Sequence, residues 1–409
     1  MTGEESHIHT PESGARCPVL PYVFAGPSDV DALTYFRQMD GFRAVARPFF
    51  RTEDAQGYWV FTDGDAVLQG LQNTEMFSSS AMEPHVPDPP YRWIPLMLDP
   101  PEHASWRRLM GAWFSPGRVK GMAEEQRQLA AQLIDPIAAR GECDFVADFA
   151  EIFPTTIFLQ IMGMPVEDLT QFLDWKNAIL SNDDSDDWMV QQRIPAMMSV
   201  AGYFTDLIAA RRAVDAGERH DLVSDAITWQ IDGQVIDDAA LLSCFLLLFL
   251  AGLDTVTAQA SYAMYDLALH PETRRRVVDE PAVIPKLVEE VLRIYPIVQM
   301  ARKVTTDAEF HGCPLKAGDM ALFPLSAVGR DQERFADATS IDLDRGVTRH
   351  LAFGAGPHRC LGSHLARQEM AILLEEWHKR IPEYEVVGTP TEHSGGVHGL
   401  NELRLHWTC

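Results

Sequence analysis

The run Phe353-Gly354-Ala355-Gly356-Pro357-His358-Arg359-Cys360-Leu361-Gly362 constrains this chain more than any other stretch. It crowds three glycines around a single cysteine, immediately before a long helical sequence that starts at Leu361. The positive end of a helix stabilises a thiolate, so a cysteine at a helix start loses its proton readily. Gly354, Gly356 and Gly362 remove side chains where the backbone must approach something large and flat. The loop N–H groups can then point at the sulfur and tune its electron density, which supports a metal bond without forming it. A buried structural cysteine beside a glycine turn is the plainer reading of a lone thiol. So many defined positions in one run argue against it.

The most apolar stretch, Ala239 to Leu253, is broken by Ser243 and ends at Asp254. A membrane span needs ~20 apolar residues, so a buried helix is expected there. Asp254 and Thr255 set an acid and a hydroxyl side by side at its end, which is costly in an apolar helix unless they are used or paired. A threonine hydroxyl can also take a helix carbonyl and open the ladder locally. Ala251 and Gly252 leave room above a flat ligand. Glu290 and Arg293 stand three apart on one helix face. As a lone pair they say little.

Together these segments resemble the cytochrome P450 family. Phe-Gly-x-Gly-x-His-x-Cys-x-Gly is similar to its haem-binding loop, and Ala251-Gly252-Leu253-Asp254-Thr255 to the oxygen-activation segment of its central helix. Glu290-Val291-Leu292-Arg293 resembles its buried Glu-x-x-Arg pair, and Gly329–Phe335 with Ile341–Arg345 its meander, where Arg334 is the expected third member. The likeness covers nearly the whole chain. It is nearest to the soluble bacterial camphor-hydroxylase branch, through Leu98-Asp99-Pro100-Pro101-Glu102, Leu253-Asp254-Thr255-Val256 and Ala308-Glu309-Phe310-His311-Gly312.

The resemblance implies a mainly α fold with small β-sheets, a triangular helical prism enclosing haem b. Cys360 is then the axial ligand of the iron, and its thiolate pushes electron density towards bound oxygen. Asp254 and Thr255 are the acid–alcohol pair that relays protons. His103 and Arg107, four apart on one helix face, meet the haem propionates with Arg302 and His358, through charge-assisted bonds. Phe353 and Gly354 complete the cofactor loop. Tyr91 stands at a substrate-facing position, with Trp93 where a phenylalanine is expected. Leu247, Leu250, Ala251, Val298 and Val397 are the candidate walls. Gly396 replaces a bulkier residue and Met300 an acid, and the loop before Tyr91 is shorter. These departures concern the substrate, not the reaction.

The chain has 409 residues and a formal net charge of -25. Such acidity argues against nucleic acid, whose affinity comes largely from cations meeting phosphates. Its simplest account is solubility. The six cysteines are scattered, with no Cys-x-x-Cys spacing, as expected of free thiols in a reducing cytosol. The acidic N-terminus, which has no apolar core, is not expected to act as a signal peptide.

Residues 1–30 read as an irregular arm and 57–62 as a strand. Helical pattern runs from about 120 to 210, interrupted at Phe153-Pro154 and Gly163-Met164-Pro165, with loops at 182–187 and 216–220. Pro271 and Pro281 open further helices. The β-rich portions fall at about 40–65, 300–325 and 385–409, and no linker divides the chain, so one domain over residues 1–409 is expected.

The function implied is a haem-thiolate monooxygenase. It inserts one oxygen atom from O2 into a small apolar substrate, a camphor-like or cineole-like terpenoid, and reduces the other to water. No flavin or nicotinamide fingerprint is present, so electrons come from outside. The resemblance supplies a [2Fe–2S] ferredoxin and its reductase, and a cytoplasmic monomer. Two other readings stay open here. A peroxide-driven enzyme of the same fold would not need the acid–alcohol pair. A haem-thiolate sensor would need neither that pair nor a roomy pocket.

Overall fold

The computed structural model describes residues 17–180, 186–213, 220–346 and 348–408. Most of the acidic stretch 182–187, the loop at 216–219 and the first half of the N-terminal arm lie outside the described residues.

The centre is a long helix in two segments, Asp238–Leu253 and Thr255–Leu269. Asp237 caps it by accepting the Ala240 N–H at 2.8 Å. By length and composition this element could cross a membrane, with a mean hydropathy of 2.2 over its most apolar window. Here protein buries a large share of it, including Leu241, Phe245, Phe249, Tyr262 and Leu267, so its apolar character serves the core. The first segment packs Leu241, Phe245 and Phe249 into a cluster with Trp106, Phe172 and Phe204. The second packs Tyr262 and Leu267 into another with Phe149, Leu292 and Trp377.

The main sheet has five strands, in the order Phe49–Thr52, Tyr58–Phe61, Met320–Pro324, Gln299–Val304 and Phe77–Ser78. Its register sets Ala321 opposite Trp59 in a parallel pair and opposite Arg302 in an antiparallel one. Each expected β-rich portion holds strands. Glu142–Asp144 pairs with Arg404–His406, and Gln230–Ile231 with Gln234–Val235; of these four, only Arg404–His406 falls in a portion expected from the sequence. Phe153-Pro154 does not interrupt its helix, which runs Ile152–Met162. Pro154 falls in the first turn, where the missing N–H costs nothing. Gly163, at φ 73°, ends that helix in the left-handed region.

Glu290 and Arg293 are both buried, and Arg293 Nη2 lies 2.8 Å from Glu290 Oε2. The guanidinium also donates to the carbonyls of Gly329 (2.7 Å), Ala338 (2.5 Å) and Ser340 (2.8 Å), so it holds the following meander to the core. Burial opposes the Glu290 charge, but Arg293, the Asp342 N–H and Arg345 outweigh it and keep the carboxyl below its usual range. The third member is Arg345, whose Nε is 3.1 Å from Glu290 Oε2. Arg334, expected there, instead pairs with Asp65 at 2.9 Å and Asp331 at 3.4 Å. The meander turns back on itself, so the later arginine reaches the core and the earlier one stays outside.

Candidate active site around Cys360

Cys360 sits between a single turn, Gly356–His358, and the helix Ser363–Arg380. Its N–H donates to Phe353 O at 2.8 Å and closes the loop. Gly354 and Gly356 both have φ of 67°, where a side chain is strained. A Cβ on Gly356 would also lie 2.6 Å from Leu71 O. These two glycines therefore serve the turn and a close backbone pass. Gly362, at φ -78°, has no protein atom within 4 Å of where its Cβ would be.

The Cys360 side chain is exposed, yet burial still pushes its thiol up. An exposed atom that is nonetheless desolvated faces an interior opening, not bulk water. The Gly362 N–H bonded to the sulfur, and then Arg107, Arg359 and Arg367, pull the other way without overcoming burial. The helix starts three residues later, at Ser363, beyond the first turn's strongest field.

Two arginines and two histidines gather on one side of this opening. His103, Arg302 and His358 are buried, and the two imidazoles stand 4.0 Å apart. His358 Nε2 is 3.0 Å from Ser79 Oγ. Arg107 Nη2 donates to Arg359 O at 2.6 Å, tying the helix Glu102–Gly111 to the cysteine loop. Burial, with Arg107 next, lowers His103 to about 4; burial, with Arg302, His103 and Arg107, lowers His358 to about 2. Burial also lowers Arg302 to about 10, against the pull of Asp99.

The carboxylate of Asp99 is already taken by the Ser78 hydroxyl (2.5 Å) and the Ser79 N–H (2.9 Å). Arg302 Nη1 reaches its neighbour's carbonyl, Ala301 O, at 2.7 Å, while Nη2 is buried with no partner. A buried charged donor without an acceptor is costly. The cluster is short of anions, and the two carboxylates of haem fit that deficit.

The central helix breaks at Asp254, φ -112°. Thr255 Oγ1 donates to Ala251 O at 3.0 Å, and Thr257 Oγ1 reaches Leu253 O at 3.1 Å and Ala150 O at 2.8 Å. The carbonyls freed by the break are thus taken by hydroxyls. Ala251 is exposed to the opening, but Gly252 is not what clears it: a Cβ there would stand 3.0 Å from the Phe158 ring. Glycine at 252 makes room for Phe158. Sequence reasoning missed Lys176, only 3% exposed, whose Nζ is 3.7 Å from Asp254 Oδ1 and bonds Glu151 more closely. A signal existed: Lys176 lies four residues after the fully buried Phe172, on the same helix face.

Of the candidate walls, Val298 and Val397 are brought together as an isolated antiparallel bridge. It is flanked by Gln299 N–H to Gly396 O (3.1 Å) and His398 N–H to Ile297 O (2.8 Å). Leu247 is buried and Leu250 partly so. Tyr91 and Trp93 stack at 4.9 Å. Tyr91 lines a cavity of ≈ 320 Å³ with Ser80, Pro87, Asp88, Pro89, Arg92 and Met97, and belongs to none of the apolar clusters holding Leu250, Val298 and Val397. Burial, with Glu83 nearby, raises its phenol to about 12.

A helical fold closed over a thiol with this anion-seeking cluster beside it defines a haem-thiolate protein. The chain belongs to the cytochrome P450 family, whose model matches residues 36–377. It is 35% identical to a probable cytochrome P450 127A1 of Sinorhizobium fredii, over 87% of this chain and 85% of that one. It is 33% identical to the mycinamicin IV hydroxylase/epoxidase of Micromonospora griseorubida, over 76% and 75%. Its fold is similar to the crystal structure of CYP101J2, with a TM-score of 0.86 and 29% identity over 98% of this chain and all of that one. The protein is a monooxygenase with haem b as cofactor, using O2, a substrate and a redox partner.

Proposed function

We propose that this monooxygenase hydroxylates a small apolar terpenoid, camphor-like or cineole-like, with electrons from a [2Fe–2S] ferredoxin. The observation that carries the reading is the broken apolar helix, which presents one acid and one hydroxyl beside otherwise aliphatic candidate walls.

Haem, when bound, supplies the iron at which O2 is activated. The chain does the rest. Cys360 Sγ holds the iron, with the Gly362 N–H donating to the sulfur. Arg302 Nη2, His103, Arg107 and His358 take the propionates, and Phe353 and Gly354 shape the loop. Leu247, Leu250, Ala251, Val298 and Val397 exclude water and orient the substrate, and Tyr91 with Trp93 closes the pocket. The Thr255 hydroxyl holds a proton against Ala251 O, and Asp254 Oδ1, beside Lys176, resupplies it from outside. The acid–alcohol pair speaks against a peroxide-driven enzyme, and kinship with named hydroxylases against a sensor.

Arg108 is exposed on the helix that Arg107 ties to the cysteine loop, so an acidic ferredoxin docks on that face. The protein works as a cytoplasmic monomer of one domain. Two measurements test this. The reduced protein under carbon monoxide should show the red-shifted Soret band of a thiolate complex, and Cys360→Ala should lose it. A terpenoid panel should give spin-state shifts and turnover with a ferredoxin system; a panel without either sinks the substrate class.

A further inference from the structure

Ser243 is the one hydroxyl in the helix segment Asp238–Leu253. A serine or threonine in an apolar helix ordinarily turns back onto the carbonyl four residues earlier. Thr255, Thr257 and Ser261 all do so, at 3.0, 3.1 and 2.8 Å. Ser243 does not. Its hydroxyl donates to Arg92 O and accepts the Ile94 N–H at 3.2 Å, so one oxygen grips the loop on both sides of Trp93.

The loop has little else to hold it there. Among the described residues, no other hydrogen bond joins the backbone of residues 91–94 to another element. Among the described residues, Trp93 itself is bonded only within the loop, through Met97, whose sulfur takes its N–H at 3.3 Å and whose N–H gives to its carbonyl at 2.8 Å. The Arg92–Glu102 ion pair is exposed on both sides and adds little. Ser243, Leu247 and Ala251 repeat every four residues, so they share one helix face.

We propose that Ser243 is a positioning residue for substrate selection. Its hydroxyl fixes the stacked Tyr91–Trp93 pair over the helix face that carries Leu247 and Ala251. The inference rests on the reading of these residues as pocket walls.

The test uses the ferric holoenzyme, with camphor and cineole as probes. Ser243→Ala should speed exchange of the Ile94 amide by roughly tenfold and weaken the ligand-induced spin shift by roughly three- to tenfold, since each lost bond carries a modest net effect. The ferrous–CO band should not move. Ser243→Thr keeps the hydroxyl and should hold both readouts within about twofold of wild type. If Ala and Thr variants lose ligand alike, the effect is packing and the proposal falls. It falls too if Ser243→Ala leaves Ile94 exchange and ligand affinity unchanged. Trp93→Ala separates this from failure of the wall reading. A Trp93 variant that shifts affinity beside an inert Ser243→Ala leaves the walls standing without the latch; an inert Trp93→Ala removes both.

Discussion

Asp254 occupies a compromise between Lys176 and the broken helix end beside it. The lysine sits 3.7 Å from its carboxylate but is held more closely by Glu151, so Asp254 is not locked in a tight pair. Thr255→Ala should leave haem and substrate binding intact while lowering product per electron pair by roughly tenfold or more, in the range of lost proton-transfer catalysis. Peroxide release against reduced nicotinamide consumed is the quantity to measure. Unchanged coupling would reduce Thr255 to a helix-break hydroxyl. At this scale the sequence was legible wherever chemistry is local. Cys360, Asp254–Thr255 and Glu290–Arg293 each announce themselves within ten residues. Lys176, Ser79 and Arg345 do not, because their partners lie 78, 279 and 55 positions away and only the fold brings them near.

Helices and their ends carry the next set of consequences. Because Arg345, not Arg334, completes the buried pair, Arg345→Ala should cost about 1–3 kcal/mol in urea unfolding, the range for stripping a partner from a buried charged bond. Arg334→Ala, which breaks an exposed pair with Asp65 and leaves Asp331 paired with Arg47 at 2.6 Å, should stay within about 1 kcal/mol. Equal losses would contradict this geometry. The C-terminal end of the central helix adds a pH-dependent element. Asp266 accepts from His270 Nδ1 at 3.0 Å and, opposed by burial, raises the imidazole to about 9. Its stabilising effect is therefore complete below the unfolded value near 6.5 and is lost as pH rises through about 9. Half-exposure of the ring keeps it small. Melting temperatures of wild type and His270→Gln should differ near pH 6 and converge at about pH 10; a constant gap would exclude the charge as its source. The apolar run was legible as this helix from its composition. Its break was expected, but the role of Gly252 was not: a glycine cannot say which neighbour it clears, and here that neighbour is Phe158.

Over the whole molecule, a net charge of -25 makes any local cationic surface a target for an acidic partner. Arg108→Glu should slow reduction by a ferredoxin several-fold at low ionic strength, with the difference shrinking as salt is raised towards 0.5 M, where screening is nearly complete. Stopped-flow reduction across a salt series decides it, and a salt-independent rate would remove electrostatic steering. The fold class followed from the motifs more than from periodicity. A mainly helical pattern with scattered strands fits many architectures, and strands as short as Gln230–Ile231 leave no periodic trace to read.

The two-segment central helix also orders events during synthesis. Its first segment is covered by Ile152–Met162 and Ile194–Arg212, both made before it. The second also packs against Ser363–Arg380, which is made well after it. At about 5–20 residues per second, that face waits several seconds uncovered. Cys360 emerges in the same stretch, just ahead of the helix that closes the core. The nascent chain therefore gains the cysteine loop and this apolar cover together, so that face of the core closes only as the loop arrives.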